Sequence, residues 1–230
     1  MATDTPDKRH NIVATSKEKD LGIVFSNNLK FGDHISQATL KANVMIGKLK
    51  RTFKTWNVKT FKILYSSYVR PHLEYAAPAW SPYNKKDIKA LEKVQRRATK
   101  LVPCLSNLSY YERLKALNLT TLEARRLRGD LIQYFKFERG LNFISWEINN
   151  RNIYSLQNEG PAGNTRGPQH RLYRDCTKNC KQREYFFLNR IIPHWNNLPD
   201  AVISSVTVNQ FKNRLDKHLL PVDHSRTHPN

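Results

Sequence analysis

The chain has 230 residues, 39% of them hydrophobic, with ten tyrosines and ten phenylalanines, so it can bury a proper core as one domain plus a smaller one and is no disordered tail. Its 39 Lys and Arg against 19 Asp and Glu leave a net charge of +20, a self-repelling surplus that a polyanion neutralises, and nucleic acid is the expected partner. Three unevenly spaced cysteines exclude a disulfide framework, no run approaches about eighteen apolar residues, and the polar start has no apolar leader core; an intracellular chain, nuclear or cytoplasmic, with no membrane contact is expected.

The first extended signals are Ile12-Val13-Ala14 and Leu21 to Phe25, which predict two short strands around the charged turn SKEKD, with Asn27-Asn28 closing the second. From Asp33 the period becomes helical. Ile35, Ala38, Ala42, Met45, Ile46, Leu49 and Phe53 share one face, Asp33 is placed to cap the start, and Lys41, Lys48, Arg51 and Lys54 lie away from the apolar side. A second helical pattern, Phe61, Leu64, Tyr65, Tyr68 and Val69, runs into Pro71, whose missing N–H and bulky ring predict a kink or a division. The pattern continues from His72 to Ala79 until Ser81-Pro82 stops it, and the helical spacing of Tyr65, Tyr68, Tyr75 and Trp80 assigns them to the core.

The most informative element follows. Lys89, Lys93, Arg96 and Lys100 recur at i, i+4, i+7 and i+11, while Ile88, Leu91, Val94, Ala98, Leu101 and Val102 hold the other side, so a helix here carries one basic ridge. From Lys85 to Lys100 there are seven basic residues, Arg97 among them, against Asp87 and Glu92. An isolated charge run is usually a solvated helix face; the whole-chain surplus turns this one into an expected phosphate-binding surface. Pro103 ends the helix.

Ser109 to Glu112 and Thr120 to Glu123 both fit the pattern in which a hydroxyl caps an N3 amide and a Glu reaches back, marking two more helix starts. The second, about 121 to 139, sets Ala124, Leu127, Leu131, Tyr134 and Phe135 against Arg125, Arg128, Lys136 and Arg139. Between Asn149 and Asp175 a polar, Gly/Pro-punctuated stretch predicts a loop or linker. Beyond it, Tyr185 to Leu188, Ile191-Ile192 and Trp195 to Pro199 predict a small helical unit, in which Trp195 and Leu198-Pro199 anchor the core. Val208, Phe211, Leu215 and Leu219 form a last amphipathic helix capped by Thr207, and the final ten residues are expected to be disordered.

Several phrases occur in order along residues 18–219: Glu18 to Gly22, Lys41-Ala-Asn43, Leu64 to Tyr75, Asp87 to Lys100 with its EKVQRRATK centre, Tyr111 to Leu114, LNLTTLEARRLRGDLI from Leu117 to Ile132, Trp195 to Pro199 and Phe211 to Asp216. Together they resemble the C-terminal region of a LINE-type reverse transcriptase, of the jockey-like branch without long terminal repeats. The resemblance implies a mainly α-helical, thumb-like bundle preceded by a short β-hairpin and followed by a small C-terminal helical extension. In those terms 1–30 adjoins a polymerase palm, 31–148 is the thumb-like domain, 149–180 a linker, 181–220 the extension and 221–230 a tail. It also implies non-specific binding of RNA, DNA or their hybrid through backbone phosphates, with a palm domain as a further partner. The contacts expected on this basis are Lys48, Arg51, Lys54, Lys89, Lys93, Arg96, Arg97, Lys100, Arg125 and Arg128.

The palm of that family holds two magnesium ions on an Asp-Asp pair and a third aspartate; this chain has no adjacent aspartates, so no catalytic residues and no cofactor are expected. A truncated or host-adopted remnant acting as a protein-interaction scaffold is the alternative. Cys176 and Cys180, with His170 and His194, depart from zinc-finger spacing and predict incidental thiols. His72 and Glu74 are two residues apart, which sets them on different sides of a helix, and Ser66-Ser67 has no base with an orienting carboxylate, so neither predicts catalysis.

Overall fold

A computed structural model describes residues 14–142, 147–148, 151–152, 172 and 178–219. The fold is mainly helical with an antiparallel hairpin near its start, as expected. Strand β1 (Lys17–Asp20) pairs with β2 (Ile23–Ser26), so the charged segment read as a turn is itself a strand. Strand β1 is exposed throughout, and a strand with no buried face shows no apolar alternation to find. The reversal falls instead on Leu21-Gly22, with φ of 46° and 85°, the left-handed pair that a two-residue hairpin requires. Residues 12 and 13 lie outside the described part.

Gly22 has a second reason to lack a side chain. A Cβ there would sit 3.3 Å from the ring of Tyr75, whose hydroxyl donates to the Leu21 carbonyl at 3.0 Å. The turn of the hairpin is thus clipped to the end of a helix more than fifty residues away. Tyr75 remains 57% exposed and Tyr68 51%, which removes both from the predicted core; Tyr65 and Trp80 are buried there as expected.

Helix α1 (Gly32–Thr52) buries Ile35, Ala38, Ala42, Ile46 and Leu49. Phe31 occupies the cap position, and Asp33 sits inside the first turn, where it binds Lys17 at 3.0 Å and accepts from Ser26. A carboxylate there opposes the positive end of the helix dipole without capping it. Beside it, His34 is buried 4.8 Å from the Trp80 ring, and its Nδ1 accepts the Val24 N–H at 3.4 Å.

Pro71 is accommodated by a change of helical pitch. Helix α2 (Val58–Leu64) passes into a π turn (Tyr65–Val69), in which the Arg70 amide bonds five residues back to the Tyr65 carbonyl, before α3 (Arg70–Glu74) begins with Pro71 in its first turn. Proline is harmless at a helix start, so the extra residue absorbs the ring that an unbroken α-helix would reject. The helix expected from His72 to Ala79 breaks at Ala76, which adopts φ of 49°; α4 (Ala77–Trp80) follows, and the Trp80 indole donates to the Tyr75 carbonyl.

Helix α5 (Lys85–Thr99) and a 3-10 turn at Pro103–Leu105 add to the first core, and α6 (Tyr110–Ala116) leads into its Leu117. The predicted reciprocal cap of Ser109 and Glu112 forms. The second does not: α7 (Leu122–Glu138) is capped by Thr121, one residue later than the Thr120 pairing, because the Thr120 carbonyl is drawn inward to accept from Gln95. Two apolar cores result, and α7 joins them. Leu122 at its start belongs to the first, while Leu131, Ile132, Tyr134 and Phe135 pack in the second against α9 (Phe187–Asn196), α10 (Asp200–Ile203) and α11 (Val208–Leu219).

Trp195 is fully buried in the second core, as predicted, and Thr207 caps α11 through the Gln210 amide. Between α7 and α9 in the chain come a two-residue ladder, β3 (Glu147–Ile148) with β4 (Arg151–Asn152), and the short α8 (Lys181–Glu184). Within the stretch predicted as linker, the described residue Leu172 belongs to the second core, and its backbone amide and carbonyl are both bonded by the Asn196 side chain at 2.8 and 2.9 Å. The second core is clasped to the first by Arg190, which binds Asp130 through two nitrogens at 2.9 and 3.0 Å and donates to the Pro78 carbonyl.

The His34 environment sets a pH dependence. Burial first, and then the Lys41 charge, hold its imidazole below the ordinary value of 6.5; burial acts the same way on His194, opposed by Asp130. The unfolded chain therefore takes up these protons before the folded one does, and stability falls as pH drops through about 6.5. Thermal unfolding followed by circular dichroism should show Tm decreasing from about pH 7.5 to 5.5. The decrease should be shallower in His34→Gln.

Candidate nucleic-acid interface

Helix α5 has two polar faces with opposite duties. Its inward face carries Gln95 and Thr99, both fully buried among Leu91, Val94 and Ala98. The Gln95 carbonyl accepts from the Tyr65 hydroxyl at 2.6 Å, and its amide donates to the Tyr110 hydroxyl at 3.0 Å and to the Thr120 carbonyl at 2.9 Å. One side chain thereby ties the π turn, α6 and the entry to α7 onto α5. Glu92 extends the network, accepting from the Tyr110 hydroxyl and from the Leu122 amide at 3.0 Å. Burial pushes the Glu92 carboxyl up, against the pull of those bonds and of Arg126 and Arg96; burial likewise raises the Tyr65 and Tyr110 hydroxyls well above their ordinary value. Thr99 accepts from the buried Arg113 at 3.0 Å.

The outward face holds the predicted ridge. Lys89, Lys93, Arg96 and Lys100 are all exposed, as are Lys85, Lys86 and Arg97, and among the described residues none of these seven takes part in an ion pair. At 1.5 Å per residue the ridge from Lys89 to Lys100 is about 16 Å long, with a cation roughly every 5–6 Å. Neighbouring charges at that spacing repel by about 0.7 kcal/mol in water. Arg96 is held in place by its guanidinium, which lies 4.4 Å above the Tyr110 ring. The same tyrosine that closes the inner network therefore orients one cation of the outer one.

The other predicted contacts divide. Lys48 and Arg51 are exposed on the outward side of α1, and Lys54 is exposed just past its end. Arg125 and Arg128 instead face other parts of the chain. Arg125 forms a two-point pair with Glu74, through Nε and through Nη2 at 3.1 Å; Arg128 does the same with Asp216, Nη2 lying 2.8 Å from Oδ2. Both are half-buried and fasten α7 to α3 and α11. Glu74 is so engaged, by Arg70 as well, that it does not act with His72. Cys180 and Cys104 are exposed, while Cys176 and His170 lie outside the described residues. Among the described residues no group of three or more His, Cys, Asp or Glu is arranged to hold a metal ion, and no helix is long and apolar enough to cross a membrane.

No family model matches the chain, and no solved structure matches it. It is 31% identical over 150 residues to the Caenorhabditis elegans protein named "Uncharacterized protein B0403.1", an alignment spanning 64% of this chain and 73% of that protein. The chain belongs to the family of that nematode protein. For this family member, then, the surface itself carries the functional argument.

The inner and outer faces separate by mutation. Gln95→Leu strands the Tyr65 hydroxyl and the Thr120 carbonyl, and should cost about 2–4 kcal/mol, lowering Tm by roughly 5–15 °C; adding Tyr65→Phe should recover part of the loss. Arg128→Ala, at a half-exposed pair, should cost about 1 kcal/mol and leave nucleic-acid affinity unchanged.

Proposed function

We propose that this chain binds RNA, DNA or their hybrid without sequence preference, gripping backbone phosphates with the α5 ridge in the manner of a polymerase thumb. The observation that carries the reading is the row of exposed cations on α5, unpaired among the described residues, set on a helix whose opposite face is anchored by buried hydrogen bonds. Surface charge with no internal partner is available to an external anion, and phosphate contacts fix position without reading bases. Lys48, Arg51 and Lys54 form a second group of exposed cations, at and just past the C-terminal end of α1. In this reading the chain performs no chemistry itself, works in an intracellular setting, and serves a reverse transcriptase whose palm carries the magnesium-binding aspartates.

A protein-interaction scaffold is the second reading, supported by Leu40 and Val44, exposed one turn apart on the outer side of α1. The two readings differ in their response to salt. Releasing counterions from four phosphates gives a log–log slope near −3.6 on duplex, so fourfold more salt should weaken binding roughly a hundredfold. Titration of a fluorescent primer–template should show this slope in the native chain and no binding in the triple variant Lys89→Glu, Lys93→Glu, Lys100→Glu, with its helical circular dichroism intact. Undiminished affinity in the triple variant excludes the ridge.

A further inference from the structure

Beyond the ridge, a cleft of about 360 Å³ opens where the first half of α7 meets α9 and the connection between α4 and α5, a volume within the range of small-ligand sites. Arg126 lines it. Its side chain is buried, with the residue only 5% exposed; its Nη1 has no hydrogen-bond partner, and no carboxylate among the described residues pairs with it. Asp130, one turn further along α7, is spent on Arg190. A buried guanidinium nitrogen without an acceptor is costly, and an acceptor from outside the fold would relieve that cost.

Three features narrow what that partner is. Burial weighs against the Arg126 charge and the Glu92, Glu123, Asp130 and Glu74 carboxylates act to keep it, so a neutral acceptor is enough to satisfy its Nη1. Glu123, one turn before Arg126 on α7, and Asn189 on α9 line the same cleft and add acceptors to it. Tyr185, stacked on Tyr83 with centroids 4.9 Å apart and planes at 18°, is 41% exposed and forms part of the wall, an aromatic stack open to extension by one more ring. A flat, neutral ligand with acceptors along one edge and N–H donors beside them satisfies all three.

Resting on the nucleic-acid reading above, we propose that this cleft receives an unpaired guanine base from a bound single strand. The base stacks beside Tyr185, takes hydrogen bonds from Arg126 on its O6 and N7, and donates its N–H groups toward Glu123. Adenine offers an amino group where guanine offers O6, which sets a donor against a donor.

The test compares two short single-stranded RNAs, all uridine except for one central guanosine or one central adenosine, by fluorescence anisotropy on the full chain. The native chain should bind the guanosine strand about tenfold more tightly, and Arg126→Gln and Tyr185→Ser should each bind both strands at the native adenosine-strand level. If Arg126→Gln does not fold, the rim variant and the native comparison still decide. Equal binding of both strands by the native chain, or a preference that survives in the variants, overturns the proposal and leaves the cleft holding water only. Binding without preference fails the cleft alone, whereas absence of any binding at low salt fails the nucleic-acid reading and the cleft with it.

Discussion

The side chain of Gln95 is the constraint on which the arrangement turns. An amide can donate and accept at once, and here it does both, fully buried, toward Tyr65, Tyr110 and the Thr120 carbonyl. Each group it satisfies belongs to a different segment, so the rotation of α5 about its axis is set by hydrogen bonds as well as by apolar packing. Hydrophobic contact alone tolerates a modest rotation of a helix; a buried polar network does not, because every lost bond strands a desolvated partner. The orientation of the lysine and arginine row on the far side is the mechanical consequence of that network.

The positive charge of the chain is divided between two tasks. Arg113, Arg125, Arg128 and Arg190 point inward or sideways and hold helices together with paired carboxylates, backbone carbonyls or Thr99. Arginine suits this work, since its planar fork makes two bonds at once. The outward set on α5 is mostly lysine, strongly hydrated and unpaired among the described residues, the chemistry that the proposed contact with phosphates in no fixed geometry calls for. Arg126 fits neither group, being buried without a partner.

Periodicity and local chemistry make a good part of the fold legible in the amino-acid sequence. The long helices α1, α5, α7 and α11 follow from their apolar spacing, and the caps at Ser109 and Thr207 from the side chains beside them. What stays hidden has tertiary causes. Strand β1 has no buried face to leave a pattern; Thr121 takes the cap because Thr120 is held by a residue on another helix; Tyr75 stays on the surface because its hydroxyl serves the hairpin turn. The charge row on α5 is readable from spacing, but Arg125 and Arg128 look equally available in one dimension and find Glu74 and Asp216 only in three. A signal for the inner network is present: in EKVQRRATK the polar Glu92, Gln95 and Thr99 recur at i, i+3 and i+7 beside the apolar residues, which marks a polar stripe facing the core.

The central claim, that a rigidly oriented α5 presents its cations to a nucleic-acid backbone, is tested most directly by lysine footprinting. Acetylation of the whole chain, with and without a bound duplex and read by mass spectrometry of its peptides, reports which amines the ligand covers. The account predicts that Lys89, Lys93 and Lys100 lose reactivity together in the complex while Lys212 and Lys217 on α11 keep theirs. Protection of the α11 lysines with the α5 row still fully reactive would contradict it.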